Sequence, residues 1–169
     1  KDIELVIRGA EAELDKSMVE KIGDPLMHLV RNAIDHGIEP EARRVAAAKP
    51  AEGTLAINAW QAGSRVVVEV EDDGAGVDLD DVRARAVALG LVTAAAARTL
   101  DARATTELLF RPGFTTRDDV TDTSGRGVGL DVVRASLARI GAAVELSTER
   151  AVSTRVTITL PITLAILPV

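Results

Sequence analysis

Apolar positions along this chain follow helical spacing in some stretches and β-rich runs in others. Near the start, Leu26, Leu29, Val30, Ala33 and Ile34 share one arc at ~100° per residue. With Asp15 and Ser17 as capping residues, this predicts a helix over 18–36. Gly37 is placed to stop it, and Pro40 to open a second helix through 44–48. β-Rich runs predict strands at 3–7, 54–60 and 65–71, the last two joined as a hairpin through Ala62, Gly63 and Ser64. Residues 49–53 are turn chemistry. Asp78 and its acidic neighbours start a helix that ends at Leu89 and Gly90. The alanine-rich stretch 93–109 predicts one or two more, and 130–140 another. Strands at 144–147 and 154–160 close the domain, with Pro161 breaking the last. Residues 111–128 carry no sustained period, and so long an irregular loop in a compact domain is functional or mobile. No internal repeat occurs. The order predicts an α+β fold, a largely antiparallel sheet with helices on one face, and not the alternating β-α-β units of a doubly wound fold.

Composition narrows the function classes. A length of 169 residues predicts one domain, which buries roughly 70% of its unfolded surface without a disulfide or metal staple. The absence of cysteine excludes thiol catalysis, thiolate metal sites and a disulfide framework, and fits a reducing, cytoplasmic setting. A formal net charge of −6 argues against a general grip on nucleic acid. Aromatics are only 2%, so Ala, Val, Leu and Ile must build the core. No stretch approaches the ~18 apolar residues of a membrane span, so direct membrane insertion is not expected. The start at Lys1, without an initiator Met or signal peptide, suggests a piece of a longer protein.

Three polar constellations carry chemistry. On the arc opposite the apolar one, His28, Asn32 and His36 stack at i, i+4 and i+8, with Asp35 beside them. Alone, this suits a solvated helix face. Zinc chelation is disfavoured because the i+4 partner of each histidine is an amide. An amide oxygen with a carboxylate and waters suits a hard cation such as magnesium. Next, the strand over 65–71 runs into Asp72-Asp73-Gly74-Ala75-Gly76, a carboxylate at a strand end followed by two glycines that admit close approach to backbone. An acidic turn is the plain alternative. An EF-hand loop is excluded, since glycines take the alternate positions its ligands need. Finally, Ser124-Gly125-Arg126-Gly127-Val128-Gly129 leads into the helix at Leu130, a ready anion site. It is neither a Walker A loop nor a dinucleotide fingerprint. Taken in order, the three describe a nucleotide site built without a P-loop.

These segments resemble the boxes of the GHKL ATPase superfamily. Asn32, within His28-Leu-Val-Arg-Asn-Ala-Ile-Asp-His-Gly37, is similar to the N box, Asp72-x-Gly-x-Gly76 to the first glycine box and Gly125-x-Gly-x-Gly129 to the second. Phe110-Arg-Pro-Gly-Phe114 resembles the F box. The wording is most similar to the ATP-binding catalytic domain of chemotaxis histidine kinases of the CheA type, over nearly the whole chain. Leu160-Pro-Ile-Thr-Leu-Ala-Ile166 resembles their junction into a receptor-coupling regulatory domain. The resemblance implies a two-layer α/β sandwich of the Bergerat type: a mostly antiparallel mixed sheet, helices on one face, and a mobile ATP lid at about 111–128. Residues 1–161 would be the catalytic domain and 162–169 the start of a linker.

The resemblance also implies roles. Asp72 would bond the adenine amino group, with Gly74 and Gly76 letting the base pack closely. Asn32 would hold Mg2+ against the phosphates of ATP, with His28 a second magnesium-side group or the general base. Asp35, His36, Phe110, Ser124 and Leu130 complete the expected nucleotide contacts. Gly125, Gly127 and Gly129 would embrace the phosphates. Arg85 and Arg117 would reach the γ-phosphate, and Thr154 would support adenine through water. Hydrolysing relatives carry Glu where this chain has His28, which favours a kinase. The phosphate acceptor would be a histidine on a separate phosphotransfer domain, since both histidines here belong to the N box. Dimerisation and receptor-coupling domains would be further partners, with chemoreceptors and response regulators indirect ones. An ATPase clamp and a degenerate scaffold are the competing readings. One departure stands out: residues 149–154 lack the family's glycine before the last strand.

Overall fold

The structure, a computed structural model, describes residues 1–9, 12–114 and 129–162. Five strands form one sheet: β1 (Ile3–Arg8), β2 (Gly53–Ala62), β3 (Arg65–Asp72), β4 (Ala143–Glu149) and β5 (Ser153–Pro161), in the order β1-β2-β3-β5-β4. β1 and β2 are parallel, with Ile3 opposite Gly53, and every other pair is antiparallel. A parallel pair needs a long crossover. Helices α1 (Lys16–Asn32) and α2 (Glu41–Ala46) lie in that connection. The β2–β3 hairpin turns through Gly63 at φ +62, a left-handed conformation that glycine adopts without strain.

Strand alternation sorts the sheet into two faces. Val66, Val68, Val70 and Asp72 of β3 are buried, as are Val156, Ile158 and Leu160 of β5 and Val144 of β4. The opposite face carries Glu69, Glu71 and Arg155, with the guanidinium 3.5 and 3.1 Å from the two carboxylates. Helix α1 buries Met18, Ile22, Pro25 and Leu29. One buried face, one charged face and an amphipathic helix make the expected two-layer arrangement.

The chain forms two compact units, Lys1–Val77 with the chain from Leu137 onward, and Asp78–Ser136. The second contains α3 (Leu79–Ala88), α4 (Ala94–Ala97), α5 (Ala102–Glu107), a 3₁₀ turn at Leu108–Phe110, and most of α6 (Leu130–Ala138). Side-chain caps begin α3, α4 and α5. Asp78 accepts from the backbone N–H groups of Asp80 and Asp81, Thr93 from Ala96, and Asp101 from Ala104. No helix among the described residues is long and apolar enough to cross a membrane.

Two local expectations change. The helix predicted over 18–36 stays α-helical only to Asn32 and then opens into a π turn, Ala33–Gly37, closed by Ile38 N–H to Ala33 O at 2.8 Å. The wider turn departs from the 100° spacing assumed through His36. Ile34, expected on the apolar arc, is exposed. Pro161 does not break β5 but ends it, still opposite Arg65, a position that tolerates a missing donor.

Candidate functional site

Asp72 is the polar end of an apolar stripe. Two-residue alternation carries Val66, Val68 and Val70 to the covered face, and Asp72 follows them at 4% exposure. The backbone N–H of Gly74 donates to its Oδ1 at 2.9 Å. Burial pushes the Asp72 carboxyl up to about 6; the Gly74 N–H opposes that, the nearby Asp73 and Glu39 carboxylates add to it, and Lys49 lowers it. A carboxylate held from one side by a backbone donor keeps its other oxygen for a ligand donor. Thr154 lies opposite Asp72 in the β3–β5 register.

Glycines here admit backbone to backbone. A Cβ on Gly37 would lie 2.8 Å from Asp72 Oδ2, and one on Gly74 would collide with the Gly37 carbonyl. That carbonyl accepts from Ala75 N–H at 2.9 Å, tying the end of the π turn to the loop after β3. Gly76, at φ +67, has the Glu149 carbonyl where a Cβ would be. Ala75 O accepts from Ala151 N–H at 2.7 Å, and Val77 N–H donates to Thr148 Oγ1 at 2.8 Å. Thr148 Oγ1 also donates to Ser153 O at 2.9 Å and lies 3.3 Å from Thr154 Oγ1. The β4–β5 turn that lacks glycine is made with Ala151 at φ 63, so an alanine takes the left-handed position.

A charged cluster supports the same loop. Arg44, 1% exposed, donates from Nε to Pro50 O at 2.8 Å and from its terminal nitrogens to Glu39 (3.0 Å), Asp73 Oδ2 (2.9 Å), Asp73 O (3.2 Å) and Glu52 O (3.3 Å). Lys49 Nζ reaches Glu39 at 2.7 Å, Asp73 O at 3.1 Å and Gly74 O at 2.6 Å. Asp73 Oδ1 accepts from Thr54 N–H at 2.8 Å. Burial works against ionised Glu39, but the Lys49 hydrogen bond, a backbone N–H and the charges of Lys49 and Arg44 outweigh it and hold its carboxyl below the usual value. Two adjacent carboxylates therefore differ: Asp73 is consumed by the frame, whereas Asp72 accepts from the backbone N–H of Gly74.

The structure thus brings Asp72, Gly74, Gly76 and Thr154 together, with Gly37 linking them to the end of the segment that carries Asn32. His28 is half-buried one turn before Asn32 on α1, with its Nε2 shielded from solvent. Asp35 and His36 are exposed in the π turn, where Lys1 Nζ caps the carbonyls of Ile34 and Asp35 at 2.7 and 3.2 Å. In the second unit, Arg85 is half-buried on α3. Phe110 is buried, with the Arg134 guanidinium 4.0 Å from its ring centroid and Glu107 paired to that guanidinium at 2.9 Å. Leu130 begins α6 and Gly129 precedes it, its O accepting from Val132 N–H at 3.2 Å. Arg117, Ser124, Gly125 and Gly127, with most of the expected lid, lie outside the described residues.

Among the described residues no cluster of three His, Cys, Asp or Glu side chains could hold a metal ion by itself. An amide such as Asn32 suits a cation that takes most of its oxygens from a ligand and water, which is how magnesium commonly sits on phosphates. Sequence reasoning missed Glu39, Arg44, Lys49 and Asp73. Their only signal was local, Glu39 just before a Pro-led helix, Arg44 within it and a doubled Asp; the pairing joins residues up to 29 apart.

Comparison with known proteins follows the same lines. Residues 21–164 match the family described as histidine kinase-, DNA gyrase B-, and HSP90-like ATPase. The chain is similar to the chemotaxis protein CheA of Bacillus subtilis, 45% identical over 100% of this chain and 25% of that protein. It is also similar to CheA of Treponema pallidum, 46% identical over 99% of this chain and 20% of that protein. The chain therefore spans about a quarter of the length of the relatives it matches. Among solved structures, the catalytic domain of histidine kinase ThkA shares the fold at a TM-score of 0.57 and 18% identity, covering 95% of this chain and 79% of that one. The histidine kinase domain from the blue-light activated kinase of Erythrobacter litoralis gives 0.54 at 17% identity, over 95% and 55%.

Proposed function

This chain belongs to the family of histidine kinase-, DNA gyrase B- and HSP90-like ATPases, and from that premise we propose that it is the ATP-binding catalytic domain of a CheA-like histidine autokinase. The observation that carries the reading is Asp72, a carboxylate buried at the end of β3 with one oxygen engaged by Gly74 N–H. Such a group accepts the amino N–H of adenine in a site where water competes poorly. Thr154, across the strand pair, adds a hydroxyl at the same end.

The γ-phosphoryl group would pass to a histidine on a phosphotransfer domain outside this chain. Such a transfer needs positioning and charge neutralisation more than covalent help from the protein. Asn32 would hold magnesium against the phosphates, which supplies that neutralisation when bound. His28, one turn away, is the group we assign to the same side of the site, as a base or an orienting residue. Arg85 and Arg117 would meet the γ-phosphate. The glycines at 125, 127 and 129, with the start of α6, would supply backbone N–H groups to phosphate oxygens. Residues 111–128 would form the lid, and 162–169 the start of a linker to a regulatory domain. Dimerisation, receptor-coupling and phosphotransfer domains are the partners this reading requires.

Calorimetric titration of the chain with ATP, with and without magnesium, tests it. Saturable binding that magnesium tightens is the expected result. A folded sample that binds neither form overturns the reading.

A further inference from the structure

Resting on the nucleotide reading above, we propose that Lys49 is a positioning residue for the base end of the site, setting the place of the Asp72–Gly74 turn and thereby the preference for an adenine base. The ammonium has three acceptors within hydrogen-bond reach, and two are backbone carbonyls of that turn: Gly74 O at 2.6 Å and Asp73 O at 3.1 Å. The third, Glu39 Oε1 at 2.7 Å, fixes the ammonium itself. Glu39 is anchored in turn by Arg44 at 3.0 Å. The side chains of Lys49 and Glu39 are 15% and 13% exposed, so this clamp is shielded from competing water and salt.

The peptide unit between residues 73 and 74 shows why this matters. Its carbonyl, Asp73 O, takes Lys49 and Arg44, and its N–H, on Gly74, holds Asp72 Oδ1. Pulling on the carbonyl end therefore aims the N–H end at Asp72. The Lys49 charge also favours the ionised carboxylate, against burial and the Asp73 and Glu39 charges. Lys49 can touch no ligand and still decide how Asp72 is presented to one. A charge-assisted bond of this kind suits lysine, whose three donors diverge from one point.

The test compares adenosine diphosphate with inosine diphosphate, which carries a carbonyl where adenine has its amino group. Lys49→Met should weaken adenosine diphosphate binding roughly tenfold and leave inosine diphosphate within about twofold, because only the former offers Asp72 an exocyclic amino group. Lys49→Arg should recover part of the loss. Equal weakening of both nucleotides, or no weakening in a folded variant, overturns the positioning role while leaving the nucleotide reading intact. A parent chain that binds neither nucleotide overturns both. Should Lys49→Met fail to fold, Glu39→Gln removes the anion that anchors the ammonium and carries the same comparison: a selective loss for adenosine diphosphate supports the role, and an equal loss or none overturns it.

Discussion

The loop that follows β3 and the helical segment Asp78–Ser136 are held by opposite means. Around Asp72 the backbone is fixed by partners far away in sequence: Lys49 to Gly74, Arg44 to Asp73, and Val77 to Thr148, 71 positions apart. In the helical segment the starts of α3, α4 and α5 are each fixed by a side chain two or three residues away, from Asp78, Thr93 and Asp101. Long-range ties hold a site in one geometry only once the whole unit has folded. Local caps fix a helix end whatever its surroundings. The difference places the candidate adenine-binding carboxylate in the more cooperative region.

Arg44 is the largest single stake in that contrast. Replacing it with Met removes the cation that faces Glu39 and Asp73 and leaves the carbonyls of Pro50, Glu52 and Asp73 without their guanidinium donor. Breaking a buried ion pair from one side costs about 3–5 kcal/mol, and Arg44→Met should lower the denaturant midpoint accordingly. A loss below about 1 kcal/mol, the scale of an exposed pair, would mean that the cluster is incidental to the frame.

Asp72 should move stability the other way. Its folded-state pKa of about 6 lies above the ordinary 3.8. Ionised Asp72 therefore costs folding free energy at neutral pH, on the order of 3 kcal/mol. The cost shrinks as pH falls through about 6 and vanishes below the unfolded value. Asp72→Asn should thus be more stable than the parent at pH 7 and equal to it below about pH 4, in denaturant titrations at both pH values. The same variant should lose adenine binding: Gly74 N–H claims the amide oxygen, and the remaining NH2 would face another donor. If binding survives the substitution, Asp72 is not the acceptor, whatever its effect on stability.

Legibility followed the same division. Asp72 could be found because strand alternation and the two glycines are local signals, and Asp78 because a capping residue sits next to its helix. The π turn could not, since it depends on Gly37 meeting Ala75, on a loop 38 positions away. The sequence reads Gly74 and Gly76 as places where a ligand comes close to backbone; among the described residues the groups that come close are the Gly37 and Glu149 carbonyls. Phe110 stood out only through resemblance, and the structure buries it beneath Arg134. Arg44 and Lys49 resembled ordinary surface charge, because nothing in their own neighbourhood announces Asp73.

Asp101 supplies the smallest effect and the cleanest control. Its carboxylate accepts from Ala104 N–H at 2.7 Å, and its carbonyl accepts from Thr105 Oγ1 at 2.7 Å. Asp101→Ala removes only the first contact, leaving one helical N–H to water at an exposed end. Loss of a cap costs about 1 kcal/mol, so the midpoint should fall by far less than with Arg44→Met. Nucleotide affinity should not move, because the bonds named above that hold Asp72 and its loop come from residues of the first unit. A drop as deep as that of Arg44→Met, or a weakened affinity for adenosine diphosphate, would show that the helical segment is coupled to the loop after β3 and that local caps govern the site after all.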